Sequence, residues 1–355
     1  MNDKRQLPIM GLRWWIISLV TIGTILNYLA RSSLSVAAPT LMEVFDMSTQ
    51  QYSWVVFSFQ ATYTVMQTFS GAILDWLGTR LGFAIFVVGW GISNMCHAFA
   101  TGWFSLAFWR GLLGSFEAAA IPGGLKVVSE WFPPRERTVA TGVFNMGASL
   151  GNMIAPALVA FCILYFGWQS AFLITGGLSL LFAFLWYFLY RSPEHSKRLS
   201  QSELAHIQMA GDDAGVVARP AHWREVIRTK GFWSIAIPRF FAEPAWQTFN
   251  FFIPLYLVTV WDFNLKDLAL WAWLPFLAAD AGSMLGGLTA PALIRWFGVD
   301  LLTSRKLTVT LGAALMIGPA CIGLATSPAV AIALFCVGGF AHQMLSGALL
   351  TLSAD

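Results

Sequence analysis

The sequence predicts an all-α protein that crosses a membrane about ten times, and three observations carry that prediction. Hydrophobic residues make up 57% of the 355-residue chain and charged residues only 11%, against roughly a quarter charged in a soluble domain. The apolar residues gather into segments of about the 20 residues that a helix needs to span a bilayer. Basic residues concentrate in alternate connections between those segments, the asymmetry that sets the orientation of helical membrane proteins. A net charge of +3 is too small to point to nucleic acid.

The chain begins with a short polar stretch, MNDKRQLPIM. The apolar run after it is too long for a signal-peptide core and has no A-x-A-like cleavage site, so it is read as a retained first span at 13–38. Further spans are expected at 52–74, 82–100, 103–131, 138–164 and 168–190. The polar stretch 191–230, rich in Lys, Arg, Glu, His and Asp, reads as a cytoplasmic linker. Four more spans follow at 231–260, 267–296, 305–325 and 328–353. The domains are therefore an N-terminal half at 1–190, the linker, and a C-terminal half at 231–355. Gly114-Ser-Phe-Glu117 in the fourth span echoes Gly339-Phe-Ala-His342 in the tenth, and at the same offset Glu130 aligns with Asp355. Two related halves around a midplane site is a common plan for secondary transporters. Six-helix halves would total twelve spans, so the last two are expected to be missing from this chain.

Lys4, Arg5 and Arg13 precede the first span, Arg80 follows the second, and Arg135 and Arg137 follow the fourth. Arg191, Lys197, Arg198, Arg219, Arg224, Arg228 and Lys230 lie in the linker, and Arg295, Arg305 and Lys306 follow the eighth span. The opposite connections hold Lys266 alongside Glu43, Asp46, Asp262 and Asp267. By this bias the N-terminus and linker face the cytoplasm of an inner (plasma) membrane. Cys96, Cys162, Cys321 and Cys336 all fall in apolar segments without metal-ligand spacing and are read as packing residues. No metal and no cofactor is expected. No spacing suggests a nucleophile, metal cluster or carboxylate pair of an enzyme.

Ionisable groups in a bilayer are costly and normally face the bundle interior or a water-filled cavity. The candidates are Arg31, Arg110, Glu117, Lys126, Arg239, Glu243, Asp280 and His342. A cavity lined by Arg31, Arg110 and Lys126 would attract an anion, and arginine grips carboxylates in bidentate fashion. Arg110 and Glu117 are seven residues apart, two turns along one face and about 10 Å in rise. Arg110 is thus expected toward the outside and Glu117 near the middle. A desolvated carboxyl suits a group that loads and releases a proton; the competing reading is a static ion pair with Arg110 or Arg31. Arg31, which shares a face with Asn27, is either a substrate contact or the partner of an acid on another helix. Tyr63 and Gln67, one turn apart, suit a polyol or bind helix to helix. Arg239 and Glu243, also one turn apart, form an i,i+4 pair or a gate. Trp246 and Asn250, beyond Pro244, are further binding candidates. Pro122-Gly-Gly and Pro244 permit bending, and Gly147-x3-Gly151 permits close helix packing.

The loop Gly71-Ala-Ile-Leu-Asp75-Trp-Leu-Gly78-Thr-Arg80 resembles the G-x-x-x-D-x-x-G-x-R signature of the major facilitator superfamily. Asn27-Tyr-Leu-Ala-Arg31, Arg110-Gly-x-x-Gly114-x-x-Glu117 and Glu130-Trp-Phe-Pro-Pro-Arg-Glu-Arg137 resemble its anion:cation symporter family. Pro238-Arg-Phe-Phe-Ala-Glu-Pro-Ala-Trp246 and Gly338-Gly-Phe-Ala-His-Gln-Met-Leu-Ser-Gly347 look most like the bacterial hexuronate branch. The resemblance implies a major facilitator fold and proton-coupled uptake of a sugar acid by alternating access, by a monomer. It implies that Arg31 and Tyr63 hold the sugar acid, that Arg110 and Glu117 serve proton coupling, and that Asp75 and Arg80 form a cytoplasmic latch. Related galactonate transporters carry an Asp before the first-span arginine; here that position is Ala30, which leaves Glu117 as the carrier in this half. The alternatives are another organic anion (an aldonate, aldarate or aromatic carboxylate) or a transport-inactive solute sensor.

Overall fold

The computed structural model describes residues 11–196, 198–208, 225 and 227–352, and every regular element among them is helical. Lys4, Arg5, Lys197, Arg219, Arg224 and Asp355, named above, lie outside the described residues. The chain divides into two compact units, Met1–Val217 and Ala218–Asp355.

The N-terminal unit contains α1 (Leu12–Val44), α2 (Thr49–Leu77), α3 (Thr79–Cys96), α4 (Trp103–Glu117), α5 (Ala120–Trp131), α6 (Pro134–Phe166) and α7 (Trp168–Leu189). A capping box starts α2: Ser48 Oγ accepts from Gln51 N at 3.2 Å, and Gln51 Oε1 accepts from Ser48 N at 2.9 Å. The turn from α2 to α3 is made by Gly78, whose φ of 77° is a left-handed value that disfavours any residue with a Cβ. The packing pairs are α1 with α6, α2 with α4 and α3 with α7. Gly147 and Gly151 make the first pair possible. A Cβ on either would lie 2.6 Å from a carbonyl oxygen of α1, that of Thr21 or of Ile25.

The expected single span at 103–131 is broken between α4 and α5. Pro122 has no N–H to offer the Ala118 carbonyl and its ring crowds that carbonyl. The Ser70 hydroxyl of α2 donates to the freed oxygen at 3.2 Å. In the lipid interior such a group must be satisfied by a neighbour.

The expected linker at 191–230 has a regular element of its own. It contains α8 (Gln201–Gln208), and that helix is tied to the start of α1. Glu203 accepts from the backbone N–H of Leu12 at 3.1 Å and of Arg13 at 3.3 Å, and from Arg13 Nη1 at 3.0 Å. A carboxylate there satisfies open amides and meets the positive end of the helix dipole. Arg13 Nε and His206 Nε2 both reach Glu136 at 3.0 Å. Burial pushes the Glu136 carboxyl up, but its hydrogen bonds and charge contacts with His206 and Arg13 win and hold it below the ordinary carboxylate range.

The C-terminal unit contains α9 (Lys230–Trp261), α10 (Leu265–Trp271), α11 (Leu274–Phe297), α12 (Leu301–Leu315), α13 (Ile317–Ala320) and α14 (Pro328–Leu352). Two more expected spans are interrupted, at 272–273 ahead of Pro275 and at 316 ahead of Pro319, for the same reason as at Pro122. α14 packs against α9, α11 and α12. Phe249, Ile253, Leu257, Leu268, Ala272, Ile332 and Phe335 form a buried cluster between α9, α10 and α14.

Candidate functional site

Among the described residues, seven helical stretches are long and apolar enough to cross a membrane. Helices α2 and α9 are long but too polar to count among them, and α4 stops short at Glu117. These three helices carry Tyr63 and Gln67, Arg110 and Glu117, and Arg239 and Glu243. Arg31 and His342, by contrast, lie on α1 and α14, which are among the seven.

The N-terminal unit joins α1, α2 and α4 at one buried pair. Arg31 Nε donates to Glu117 Oε2 at 2.9 Å, with the side chains 15% and 0% exposed. Glu117 Oε1 has no hydrogen-bond partner among the described residues. Three rings surround the Arg31 guanidinium: Tyr28 and Tyr63 at 4.7 Å and Phe59 at 5.1 Å from their centroids. Phe59 and Tyr63 stack on each other at 5.6 Å. Ring faces stabilise a desolvated cation without neutralising it, so Arg31 keeps its attraction for an anion. Tyr28 and Phe59 are additions to the residues named from sequence. Their signal was spacing: Tyr28 precedes Arg31 by three residues and Phe59 precedes Tyr63 by four, which places each pair on one helix face.

Arg110 lies behind this pair. Its Nη2 donates to the Arg31 backbone carbonyl at 2.6 Å, its guanidinium sits 4.6 Å from the Phe59 centroid, and its side chain is fully buried. It touches Arg31 through the backbone. Asn27, on the same face of α1, is also fully buried, and its amide has no hydrogen-bond partner among the described residues. Gln67 is exposed one turn beyond Tyr63 and makes no side-chain hydrogen bond among the described residues.

The expectation that Lys126 lines the same cavity is corrected. On α5, beyond the break that follows Glu117, Lys126 bonds the Asp75 carboxylate and donates to the Leu74 carbonyl. Arg80 turns the other way. Its Nε donates to the Tyr187 carbonyl at 2.8 Å and its guanidinium lies 4.3 Å from the Tyr187 centroid. Glu130 accepts from Thr79 Oγ1 and from the Tyr190 hydroxyl, both at 2.5 Å. The two latch residues therefore serve separate contacts, one between α2 and α5 and the other between α3 and α7.

The C-terminal unit holds a second polar group. Arg239 Nη1 donates to Ser346 Oγ at 2.7 Å, Arg239 Nη2 lies 3.5 Å from Glu243 Oε2, and Gln247 Nε2 donates to Glu243 Oε1 at 3.3 Å. The Trp246 indole stacks face to face on the buried His342 ring, 5.1 Å between centroids and 8° between planes. Asn250 spends one amide hydrogen on the Trp246 carbonyl of its own helix, at 2.9 Å. No cluster of three or more His, Cys, Asp or Glu side chains among the described residues could hold a metal.

Multi-pass helices with ionisable groups enclosed between them define a polytopic membrane protein with a polar site at membrane depth. The profile of the Major Facilitator Superfamily matches residues 20–355, and the chain belongs to that family. It is 52% identical over 350 residues to the hexuronate transporter of Escherichia coli K12, covering 98% of this chain and 81% of that relative. It is 51% identical over 328 residues to the galacturonate transporter of Dickeya chrysanthemi, covering 92% of this chain and 95% of that relative. Among solved structures, a bacterial homolog of the human lysosomal transporter Spinster, inward-facing and unoccupied, matches at a TM-score of 0.75 and 19% identity, over 97% of this chain and 76% of that one. That likeness bears on the fold alone. The relatives are named as transporters, and the chain is a transporter-family member and not an enzyme.

Proposed function

We propose that the chain is an inner-membrane symporter that takes up a hexuronate with protons by alternating access between its two halves. The observation that carries this reading is the buried Arg31–Glu117 pair at 2.9 Å inside a cage of three rings. The identity of about half of all residues with relatives named for hexuronate and galacturonate transport supports the substrate class.

The pair supplies a coupling rule. Arg31 is the cation nearest to Glu117, and a sugar acid also presents one carboxylate. When the substrate carboxylate takes the guanidinium, Glu117 is left buried without its partner and is neutralised by a proton, because an isolated carboxylate is costly at that depth. Substrate and proton then favour each other's bound state, which is the thermodynamic content of symport. Release of both returns Glu117 to Arg31. Tyr63 stacks beside the carboxylate position, Arg110 fixes the Arg31 backbone, and Trp246 with Asn250 and Gln67 remain the candidates for the sugar hydroxyls. Asp75, Arg80, Arg239 and Glu243 are assigned to gating, the N-terminus and linker to the cytoplasm, and the working unit to a monomer.

The test is uptake of radiolabelled glucuronate and galacturonate into proteoliposomes, with and without an inward proton gradient. Gradient-driven uptake of either is expected, and Arg31→Ala is expected to reduce binding at least tenfold, the range for a charge-assisted bidentate contact of about 1.5–3 kcal/mol. Binding by the Arg31→Ala protein at the original affinity would sink the site. Uptake of an aldonate or aromatic carboxylate in place of hexuronate would reassign the substrate.

A further inference from the structure

At the membrane boundary of the N-terminal unit, a groove of about 620 Å³ opens between α1, α7 and the chain just after α7. Its size falls in the range of pockets that enclose small organic molecules, roughly 300–1,000 Å³. Its chemistry is divided along its length. Trp15, Leu19 and Ile22 on α1 and Phe188 on α7 form an apolar wall. Trp15, Ile22 and Phe188 are 68%, 48% and 57% exposed, so the described chain leaves the wall uncovered. Arg191 and Arg198 stand at the rim. Trp15 and Ile22 are seven residues apart, so the wall runs about 10 Å inward from the interface.

The two ends call for different parts of one molecule. An apolar wall open to the bilayer suits an acyl chain. A rim with two guanidinium groups suits an anionic headgroup, since arginine meets phosphate with paired donors. Arg191 sits directly beyond the last turn of α7. Its Nη1 donates to the Tyr187 and Tyr190 carbonyls at 3.1 and 3.0 Å, which anchors the guanidinium at the boundary while its charge meets no carboxylate among the described residues. An anchored cation over a lipid-facing groove lacks only its counter-charge, and basic pockets between membrane helices are known to hold anionic headgroups.

We propose that this groove is a binding site for an anionic phospholipid of the surrounding bilayer, with its phosphate at Arg191 and Arg198 and one acyl chain along Trp15, Leu19, Ile22 and Phe188. The site is separate from the Arg31–Glu117 pair and does not depend on the identity of the transported solute.

The experiment is native mass spectrometry of the purified full chain in detergent, titrated with phosphatidylglycerol, phosphatidylethanolamine or inorganic phosphate. One phosphatidylglycerol is expected to remain bound where phosphatidylethanolamine and phosphate dissociate. With each cation worth about fivefold, Arg191→Gln with Arg198→Gln is expected to weaken phosphatidylglycerol on the order of 30-fold. The double lysine variant, which keeps the charge, is expected to retain most of the binding. Equal retention of the zwitterionic lipid by the unaltered protein overturns the proposal without any variant. So does phosphatidylglycerol binding that the glutamine variant leaves unchanged, or retention of free phosphate alone.

Discussion

Arg31 must satisfy two demands that conflict, because it has to hold Glu117 tightly enough to bury it and release it when substrate arrives. The geometry meets both. One contact, Nε to Oε2, joins the pair, while the three rings keep the guanidinium desolvated without spending its remaining donors on another acid. Replacing Glu117 by glutamine preserves shape and removes ionisation, which separates the two halves of the coupling rule. Glu117→Gln is expected to abolish proton-driven accumulation and to spare exchange of internal for external hexuronate, read by counterflow in proteoliposomes. Accumulation at the original level would place the carrier on another residue. This pair was legible in the sequence because a charge inside an apolar span has few explanations. Arg110 was less so. Its seven-residue offset from Glu117 is real, but sequence spacing does not tell which neighbour a guanidinium will reach, and Arg110 reaches a backbone carbonyl of α1.

Glycine and proline decide the structure of the helices. The sequence echo between Gly114-Ser-Phe-Glu117 and Gly339-Phe-Ala-His342 has a physical counterpart in the two units. A Cβ at Gly114 would lie 2.5 Å from the Phe59 carbonyl of α2, and a Cβ at Gly339 would lie 2.4 Å from the Pro275 carbonyl of α11. In both units this glycine lets two backbones meet, and the polar side chain three residues later, Glu117 or His342, is buried beside the contact. Gly177 of α7 has nothing within 4 Å of its Cβ position. Gly114→Leu and Gly339→Leu are each expected to lower stability by about 1–3 kcal/mol or more through overpacking, while Gly177→Ala leaves it unchanged or raises it. Thermal unfolding of the purified variants measures this, and equal midpoints for all three would refute the close approach. Span positions were readable from apolar runs. A bend at Pro122-Gly-Gly was readable as well, but not that the helix would break there or at Pro275 and Pro319, because the sequence does not show which neighbour, such as Ser70, takes up a freed carbonyl. Helix α8 escaped notice for a related reason: its composition is that of a linker, and its docking rests on Glu203 and Arg13, far apart in sequence.

At the scale of the whole molecule, the strongest constraint on how the chain sits in its membrane is where the basic residues fall. Contacts within the N-terminal unit gather the matching helix ends. Arg13 at the start of α1 meets Glu136 at the start of α6, Asp75 near the end of α2 meets Lys126 of α5, and Glu130 meets both Thr79 at the start of α3 and Tyr190 after α7. Arg80, Arg137 and Arg191 belong to this same end. The connections at the other end carry Glu43 and Asp46, with no lysine or arginine between Val44 and Ser48 or between His97 and Gly102. A short basic connection resists translocation, so the orientation proposed above, with the basic end in the cytoplasm, is the one this charge bias favours. In a variant with its four cysteines replaced by serine, single cysteines at exposed Ser202, beside the basic end, and at exposed Thr101, in the connection before α4, separate the two orientations. A membrane-impermeant maleimide applied to intact cells is expected to label Thr101→Cys, and to label Ser202→Cys only after the membrane is opened. The reverse pattern would put α8 and its Glu203 anchor outside the cell. It would also reverse the gradient side from which Glu117 loads its proton, and with it the direction of uptake.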